Sequence, residues 1–124
     1  MPNVDIQATV TELQALLGDR LSTGASILDQ HSHDEAYTPP VLPDAVAFPE
    51  TTDEVSQILR ICSKHGCPVV PYGVGTSLEG HIVPVQGGVS VDTSRMNAVI
   101  AINQSDLDAV VEPGVTRMQL NDAL

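Results

Sequence analysis

Two short apolar runs on either side of a strongly signalled helix constrain the fold of this chain more than any other feature. Residues 45–48 and residues 69–72 have the composition of strands. Between them, Thr51 and Glu54 have the spacing of a capping box, apolar residues follow at helical intervals, and Gly66 marks the end of the helix. A strand, a helix and a strand in this order predict two parallel strands joined by a crossover.

The loop after the second strand, residues 73–80, is rich in glycine and contains no basic residue. Glycine allows the backbone conformations and close approaches through which main-chain N–H groups can face an anion. Thr76 and Ser77 add hydroxyl donors. No Lys or Arg lies between Lys64 and Arg95, so a phosphate bound here would depend on amides and hydroxyls. On residue content alone, an anion-binding loop and a structural turn are equally supported.

Two common phosphate motifs do not match this loop. Gly75 and Gly80 have the spacing of a P-loop, but His81 and Ile82 stand where that motif needs Lys and Ser or Thr. Leu78 occupies the third glycine position of a dinucleotide fingerprint, and no helix pattern follows it. The sequence therefore argues against a nucleoside triphosphatase and against a Rossmann domain.

The first third of the chain divides into a helix and a segment without periodicity. Apolar residues recur at helical intervals from Ile6 to Leu17, and Gly18 follows as a terminator, so we predict a helix over residues 4–17. Residues 22–43 show no period and contain several prolines, which predicts an extended arm held by contacts with the rest of the protein.

Three residues of this arm have a spacing that would suit a metal ion. His31 and His33 alternate in an extended segment, Asp34 follows, and nitrogen ligands suit zinc or manganese. No further ligand is identifiable elsewhere, so a hydrogen-bonding or solvated arm is favoured and no metal site is predicted.

Three more strands and the start of a helix follow the glycine-rich loop. Residues 88–92, 98–102 and 108–112 are short, rich in β-branched side chains and separated by turn-forming residues. Thr116 and Gln119 then form a second capping box, shortly before the sequence stops. Because an average helix is longer than the residues that remain, we expect the sequence to be a piece of a longer protein. The overall pattern predicts a mixed α+β architecture.

Composition limits the partners. The chain has 5 basic and 16 acidic residues, a net charge of −11, which opposes binding of nucleic acid. No apolar run is long enough to predict a transmembrane segment, and no secretory signal is evident, so we expect a cytoplasmic protein or one peripheral to the inner face of a membrane. Cys62 and Cys67 lack the pattern of a zinc site and are expected to be buried thiols.

Five segments occur in an order that resembles one known family. They are residues 43–49, 65–66, 71–80, 92–96 and 111–115. Together they resemble the FAD-binding domain of the vanillyl-alcohol oxidase/PCMH superfamily, with the nearest likeness to FAD-linked D-lactate dehydrogenases of the cytochrome type and to glycolate oxidase GlcD subunits. The likeness is dense from residue 44 onward and weaker before it.

The resemblance implies a PCMH-type FAD-binding fold of the α+β class. Residues 1–43 would form an N-terminal helix and extended arm, and residues 44–112 a complete first α/β subdomain. Residues 113–124 would be the start of a second subdomain that has only begun.

The resemblance also implies FAD as cofactor and assigns residues to it. The expected contacts with the pyrophosphate come from one loop, and a later pair approaches the flavin; these residues are Gly73, Val74, Gly75, Thr76, Ser77, Gly80, His81, Pro113 and Gly114. A surface role for His81 is equally supported by the sequence, and Glu79 is expected to turn away from the phosphates because like charges repel.

The family's activity sets the functional expectation. It implies oxidation of a small 2-hydroxy acid, D-lactate or glycolate, to the 2-keto acid by hydride transfer to FAD, with a cytochrome or quinone-linked electron acceptor. The family's catalytic residues lie beyond this sequence, so no catalytic residue is predicted. The alternatives are a flavin-fold fragment without catalytic activity that serves as a binding or interaction module, and an aldehyde-forming or sugar oxidase of the same superfamily.

Overall fold

The computed structural model describes residues 4–124, which form four helices and two β-sheets. The helices are α1 (Ile6–Leu17), α2 (Ala25–Gln30), α3 (Thr52–Lys64) and α4 (Arg117–Ala123). The strands are β1 (Leu21–Ser22), β2 (Ala45–Ala47), β3 (Val69–Tyr72), β4 (Val89–Asp92), β5 (Val99–Asn103) and β6 (Asp108–Val111). No helix in this part of the chain is long and apolar enough to cross a membrane.

The larger sheet has the strand order β1-β2-β4-β3. Strands β2 and β3 both run parallel to β4, which confirms the parallel orientation predicted for them. They are not neighbours, because β4 lies between them: Val89 pairs with Ala45 on one side and with Val69 on the other. The short strand β1 closes one edge in antiparallel orientation to β2.

Helix α3 begins as its sequence predicts. The Thr51 hydroxyl accepts a hydrogen bond from the Glu54 amide at 3.1 Å. The Glu54 carboxylate does not return to the Thr51 amide as in a standard capping box; it accepts instead from the Glu50 amide at 2.8 Å and from the Arg20 guanidinium at 2.7 Å. The helix N-terminus is thereby tied to the turn that precedes β1.

One face of the larger sheet packs against helices α1 and α3. Alternate strand residues point to this face and meet apolar residues of the two helices. The buried cluster consists of Leu13, Leu17, Leu21, Ala45, Ala47, Ile58, Cys62, Cys67, Val89 and Val91. Cys62 and Cys67 are buried free thiols, as predicted.

The other face of the larger sheet is also buried, but its covering is polar. Val46 and Ser90 pair across β2 and β4 and are both inaccessible to solvent. Toward the carboxyl ends of the strands, Tyr72 and Asp92 lie on this same face and contact His31. Helix α2 packs against β2.

The predicted extended arm, residues 22–43, was wrong in its first part. It contains the end of β1 and all of α2. The sequence carries little sign of α2, because the helix has only 6 residues and its N-cap, Gly24, provides no side-chain hydrogen bond. Helix α1 begins two residues later than predicted, since Asp5 caps it by accepting from the Ala8 amide at 3.0 Å.

The last part of the chain forms a separate hairpin followed by a short helix. Strands β5 and β6 pair only with each other in the described residues, whereas β4 belongs to the larger sheet. The Thr116 hydroxyl caps α4 by accepting from the Gln119 amide at 3.1 Å, as predicted. The Gln119 side chain donates to the Asn97 carbonyl at 2.6 Å, which fastens α4 to the start of the hairpin.

Candidate functional site

The glycine-rich loop leaves the sheet at the carboxyl end of β3, beside the end of β4. It borders a cavity of about 270 Å³ lined by Gly73, Val74, Gly75, Thr76, Ser77, His81 and Ile82. The carboxyl edge of parallel strands is where open α/β sheets place their ligands. The geometry therefore agrees with the position that the sequence predicts for a binding site.

The loop presents hydrogen-bond donors that the protein itself does not use. Among residues 4–124, the backbone amides of residues 74–77 donate to no protein acceptor. The Ser77 hydroxyl is buried and has no hydrogen-bond partner within the same described residues. Buried polar groups are normally paired, so this hydroxyl, which borders the cavity, is available to bond a ligand.

Gly75 can only be glycine in this loop. Its φ of +77° lies in the left-handed region, and a Cβ atom there would be 2.2 Å from the Tyr72 hydroxyl oxygen. Gly73, two residues earlier, has open space around the corresponding position. The tight constraint therefore falls on the centre of the loop, where the backbone passes over Tyr72.

A second cavity adjoins the first and brings the later pair of predicted residues to the same place. It measures about 320 Å³ and is lined by Gly73, Val74, Ser94, Pro113, Gly114, Val115, Thr116 and Arg117. Gly73 and Val74 border both cavities. Residues separated by about 40 positions in the sequence thus form one continuous site.

Gly114 is required for a reason that the sequence did not reveal. Its amide donates to the Met96 carbonyl at 2.7 Å, and an added Cβ would lie 2.1 Å from the Thr93 carbonyl oxygen. The absence of a side chain at Gly114 therefore allows a close approach to the chain's own backbone. The approach to the flavin that the resemblance implies stays a prediction.

Gly80 and His81 stand apart from the other predicted residues. The Gly80 amide is already used, because it donates to the Asp34 carboxylate at 2.8 Å. His81 is exposed and borders the smaller cavity. The sequence favoured a hydrogen-bonding or solvated role for the segment that contains Asp34, but this partner could not be identified because it lies 46 residues away.

His31 and Asp92 form a buried pair beneath the loop. His31 Nε2 is 2.7 Å from Asp92 Oδ2, and His31 Nδ1 is 2.8 Å from the Ile27 carbonyl oxygen. The ring of Tyr72 lies 4.2 Å from that of His31, centroid to centroid. Burial raises the pKa of Asp92, but hydrogen bonds from His31 and Ser94 outweigh it and leave this pKa below its usual value.

The three side chains considered as metal ligands point to different partners. His31 contacts Asp92, His33 Nδ1 lies 3.1 Å from the Ser32 hydroxyl, and Asp34 accepts from backbone amides. No group of three or more potential ligand side chains is arranged to hold a metal ion within residues 4–124.

Arg117 is a candidate site residue that the sequence did not predict. Among residues 4–124 it is the only Lys or Arg that lines either cavity, and it follows the N-cap of α4 directly. The loop itself is free of Lys and Arg as noted from the sequence, but a guanidinium borders the adjoining cavity. The sequence does not show this proximity, because Arg117 and Gly73 line the same cavity only in the folded chain.

Comparisons with known proteins agree with this arrangement. The family described as FAD binding domain matches residues 43–124. The chain is 38% identical over 120 residues to the probable mitochondrial D-lactate dehydrogenase of Danio rerio, covering 96% of this chain and 24% of that protein. It is 41% identical over 90 residues to the glycolate oxidase subunit GlcD of Bacillus subtilis, covering 73% of this chain and 19% of that protein.

The fold of this chain is also found in a solved structure. The 4-ethylphenol oxidase from Gulosibacter chungangensis superposes with a TM-score of 0.86 at 28% identity, over 97% of this chain and 25% of that chain. The present chain thus spans about a quarter or less of the length of the proteins it matches.

The residues of the loop suit the cofactor of this family. A pyrophosphate offers only acceptor oxygens, and the loop offers unused amides at residues 74–77 together with the orphaned Ser77 hydroxyl. The absence of a side chain at Gly75 keeps the backbone accessible. The chain belongs to the FAD binding domain family, has the PCMH-type FAD-binding fold and has FAD as its cofactor.

Proposed function

We propose that this chain is the FAD-binding part of a flavin-dependent D-2-hydroxyacid dehydrogenase, with D-lactate as the first candidate substrate and glycolate as the second. The likeness to proteins named D-lactate dehydrogenase extends over 96% of this chain in one relative and 98% in another, from Saccharomyces cerevisiae. The observation that carries the proposal is the loop of unused donors at the carboxyl edge of the sheet, within the region that the family matches.

Each part of the site has a proposed role. The amides of residues 74–77 and the Ser77 hydroxyl bind the pyrophosphate of FAD. Pro113 and Gly114 border the adjoining cavity on the side proposed for the flavin, and Arg117 adds positive charge there. Bound FAD supplies the acceptor for the hydride that leaves the hydroxy acid.

The remaining parts of the reaction are assigned to the rest of the protein. Groups that bind the substrate and remove its hydroxyl proton lie outside this chain in the proposal. A cytochrome or a quinone-linked carrier reoxidises the flavin, in keeping with the word cytochrome in the names of two similar proteins. A location at the inner face of a membrane would suit such an acceptor.

The test uses the complete gene product, purified with its flavin. We expect D-lactate to bleach the visible absorption of the oxidised flavin under anaerobic conditions, glycolate to do so more slowly, and L-lactate to leave it unchanged. A yellow protein whose flavin none of these acids reduces would overturn the proposed substrate class and support a flavin fold without this activity. Reduction by an aromatic alcohol or a sugar would instead place the protein among the other oxidases of the superfamily.

A further inference from the structure

The segment that begins at the last residue of α2, residues 30–38, lies against the glycine-rich loop at residues 73–80 and is hydrogen-bonded to it. At its centre, the Asp34 carboxylate accepts two backbone hydrogen bonds, from Ala36 at 2.7 Å and from Gly80 at 2.8 Å. The first bond closes a turn within the segment, and the second reaches across to the far end of the loop. Asp34 thus joins two stretches of chain that are 46 residues apart.

Two further contacts tie Ser77 of the loop, and Tyr72 at the end of β3, to the same segment. The Glu35 amide donates to the Ser77 carbonyl at 3.2 Å, and the Tyr72 hydroxyl donates to the Gln30 carbonyl at 3.4 Å. Because a trans peptide is planar, a Ser77 carbonyl that faces the segment turns the amide of Leu78 to the opposite side. The contacts therefore set the orientation of the Ser77–Leu78 peptide group and of the Gly80 amide, directly after the unused amides of residues 74–77.

The presence of the Asp34 carboxylate beside a loop proposed to bind phosphate requires a physical explanation. The chain carries a net charge of −11, and a further negative charge beside a pyrophosphate opposes its binding. If Asp34 acted on the cofactor only through its charge, its removal would strengthen binding. Its two carboxylate oxygens are instead each engaged by a backbone amide, which favours a role in shaping the loop.

We propose that Asp34 is a positioning residue for the pyrophosphate of FAD: by holding the Gly80 amide, it keeps the unused amides of residues 74–77 directed at the cofactor. The inference deepens the proposed function and rests on the role proposed there for the loop. Asp34 touches neither the cofactor nor the substrate in this account, and it acts through the loop backbone alone.

The experiment compares FAD affinity in three variants of the complete gene product, after removal and re-addition of the flavin. Asp34→Ala removes both acceptor oxygens, and Asp34→Asn removes the charge but keeps one acceptor. The matched control is Asp44→Ala, because the Asp44 carboxylate also accepts from a glycine amide, that of Gly88, at 2.7 Å, and neither residue lines the two cavities of the site.

We expect the dissociation constant of FAD to rise about tenfold in Asp34→Ala, which corresponds to about 1.4 kcal/mol. Asp34→Asn should show a smaller rise, and Asp44→Ala should stay within about twofold of the parent protein even where its melting temperature falls as far. Hydrogen exchange of the apoprotein should show faster exchange of the Gly80 amide for the Asp34 variants alone.

Tighter FAD binding in both Asp34 variants would show that only the charge matters and would overturn the inference. Equal loss of affinity in the Asp34→Ala and Asp44→Ala proteins would overturn it as well, since the effect would then follow general stability. Asp34→Asn preserves the shape of the side chain, so it carries the test if the alanine variant does not fold. Failure of D-lactate and glycolate to reduce the flavin would overturn the proposed substrates without changing these affinities.

Discussion

The two faces of the larger sheet are built by different physical means. The face toward α1 and α3 is apolar, and its buried residues need no polar partner. The face toward α2 and the segment at residues 30–38 buries His31, Ser90 and Asp92 together with Tyr72. The same three parallel strands supply both faces, because successive side chains of a strand alternate between them.

The difference shows how one short sheet can provide both stability and a binding site. On the face covered by α1 and α3, the helix-covered face, burial of apolar area stabilises the fold, and this stabilisation does not depend on the direction of individual contacts. On the face covered by α2 and residues 30–38, the arm-covered face, hydrogen bonds join His31 to Asp92 and Asp92 to the Ser94 amide, whereas the Ser90 hydroxyl has no partner among the described residues. The His31 ring also lies against Tyr72 at the end of β3, where the loop begins. The apolar face tolerates changes in the shape of its side chains poorly, because it is closely packed. The polar face depends on hydrogen-bond partners for its buried polar groups.

The largest effect is expected from breaking the buried pair on the arm-covered face. Asp92→Ala leaves the His31 ring buried without its carboxylate partner, and we expect a loss of about 3–5 kcal/mol in the free energy of unfolding. Chemical denaturation of the complete gene product measures this loss. Since the pKa of Asp92 is lowered in the folded protein, the contribution is present above the ordinary pKa of Asp and is lost as the pH falls through the lowered value.

A double-mutant cycle sharpens this result. In a His31→Leu background, Asp92→Ala should cost much less than in the parent, because the unpaired partner is gone. Additive losses would show that the two side chains do not stabilise the fold as a pair. Such a result would remove the contrast between the two faces.

A slightly smaller effect is expected on the helix-covered face. Ile58→Ala deletes a fully buried side chain of α3, and we expect a loss of about 2–5 kcal/mol with no dependence on pH near neutrality. The neighbouring Leu59, which is 47% exposed, provides the control: Leu59→Ala should cost well under half as much. Similar losses in the two variants would contradict the assignment of this face to the core.

Two substitutions in the glycine-rich loop test the binding of FAD rather than the stability of the fold. Gly75→Ala introduces a side chain where φ is +77° and where the new Cβ would meet the Tyr72 hydroxyl, so we expect FAD affinity to fall about a hundredfold. Gly73→Ala has space for its methyl group and should change affinity less than about threefold. Fluorescence titration of the apoprotein with FAD measures both. Equal effects would indicate that the loop is not held against Tyr72.

The smallest effect concerns a charged pair at the rim of the helix-covered face. The pKa of Glu54 is lowered to about 2, chiefly by the hydrogen bond from Arg20 and next by the hydrogen bond from the Glu50 amide. A carboxylate with a lowered pKa contributes stability above its ordinary pKa of 4.5 and loses it as the pH falls toward 2. Arg20→Ala should therefore cost about 1–3 kcal/mol at pH 7, and progressively less as the pH is lowered through this range. Melting temperatures recorded between pH 7 and pH 3 test this, and a constant difference between the two proteins would contradict it.

Local signals in the sequence were sufficient for much of the fold. Helix α3 has a capping residue at its start and a glycine at its end, and β3 consists of residues that favour strands. Both elements could therefore be predicted from short stretches of sequence. The place of β4 between β2 and β3 could not, since strand order is set by packing of the whole sheet. Helix α2 was missed because a helix of 6 residues without a capping side chain leaves no pattern.

The same distinction applies to the site. The loop was predicted because its glycines and hydroxyl residues are contiguous. The partners that shape it were not, because Asp34 is 46 residues from Gly80 and His31 is 61 residues from Asp92. For His31 and Asp34 the sequence favoured a hydrogen-bonding or solvated arm over a metal site, but it could not identify the partners that the structure shows.

The hairpin of β5 and β6 departs from the site and returns to it at nearly the same point. Its base is closed by the hydrogen bonds from the Glu112 amide to the Ala98 carbonyl and from the Gly114 amide to the Met96 carbonyl. Its tip, residues 104–107, is exposed. Length changes or inserted peptides at that tip should therefore be absorbed without displacing the cofactor pocket, which makes the turn a natural position for a label or for evolutionary elaboration.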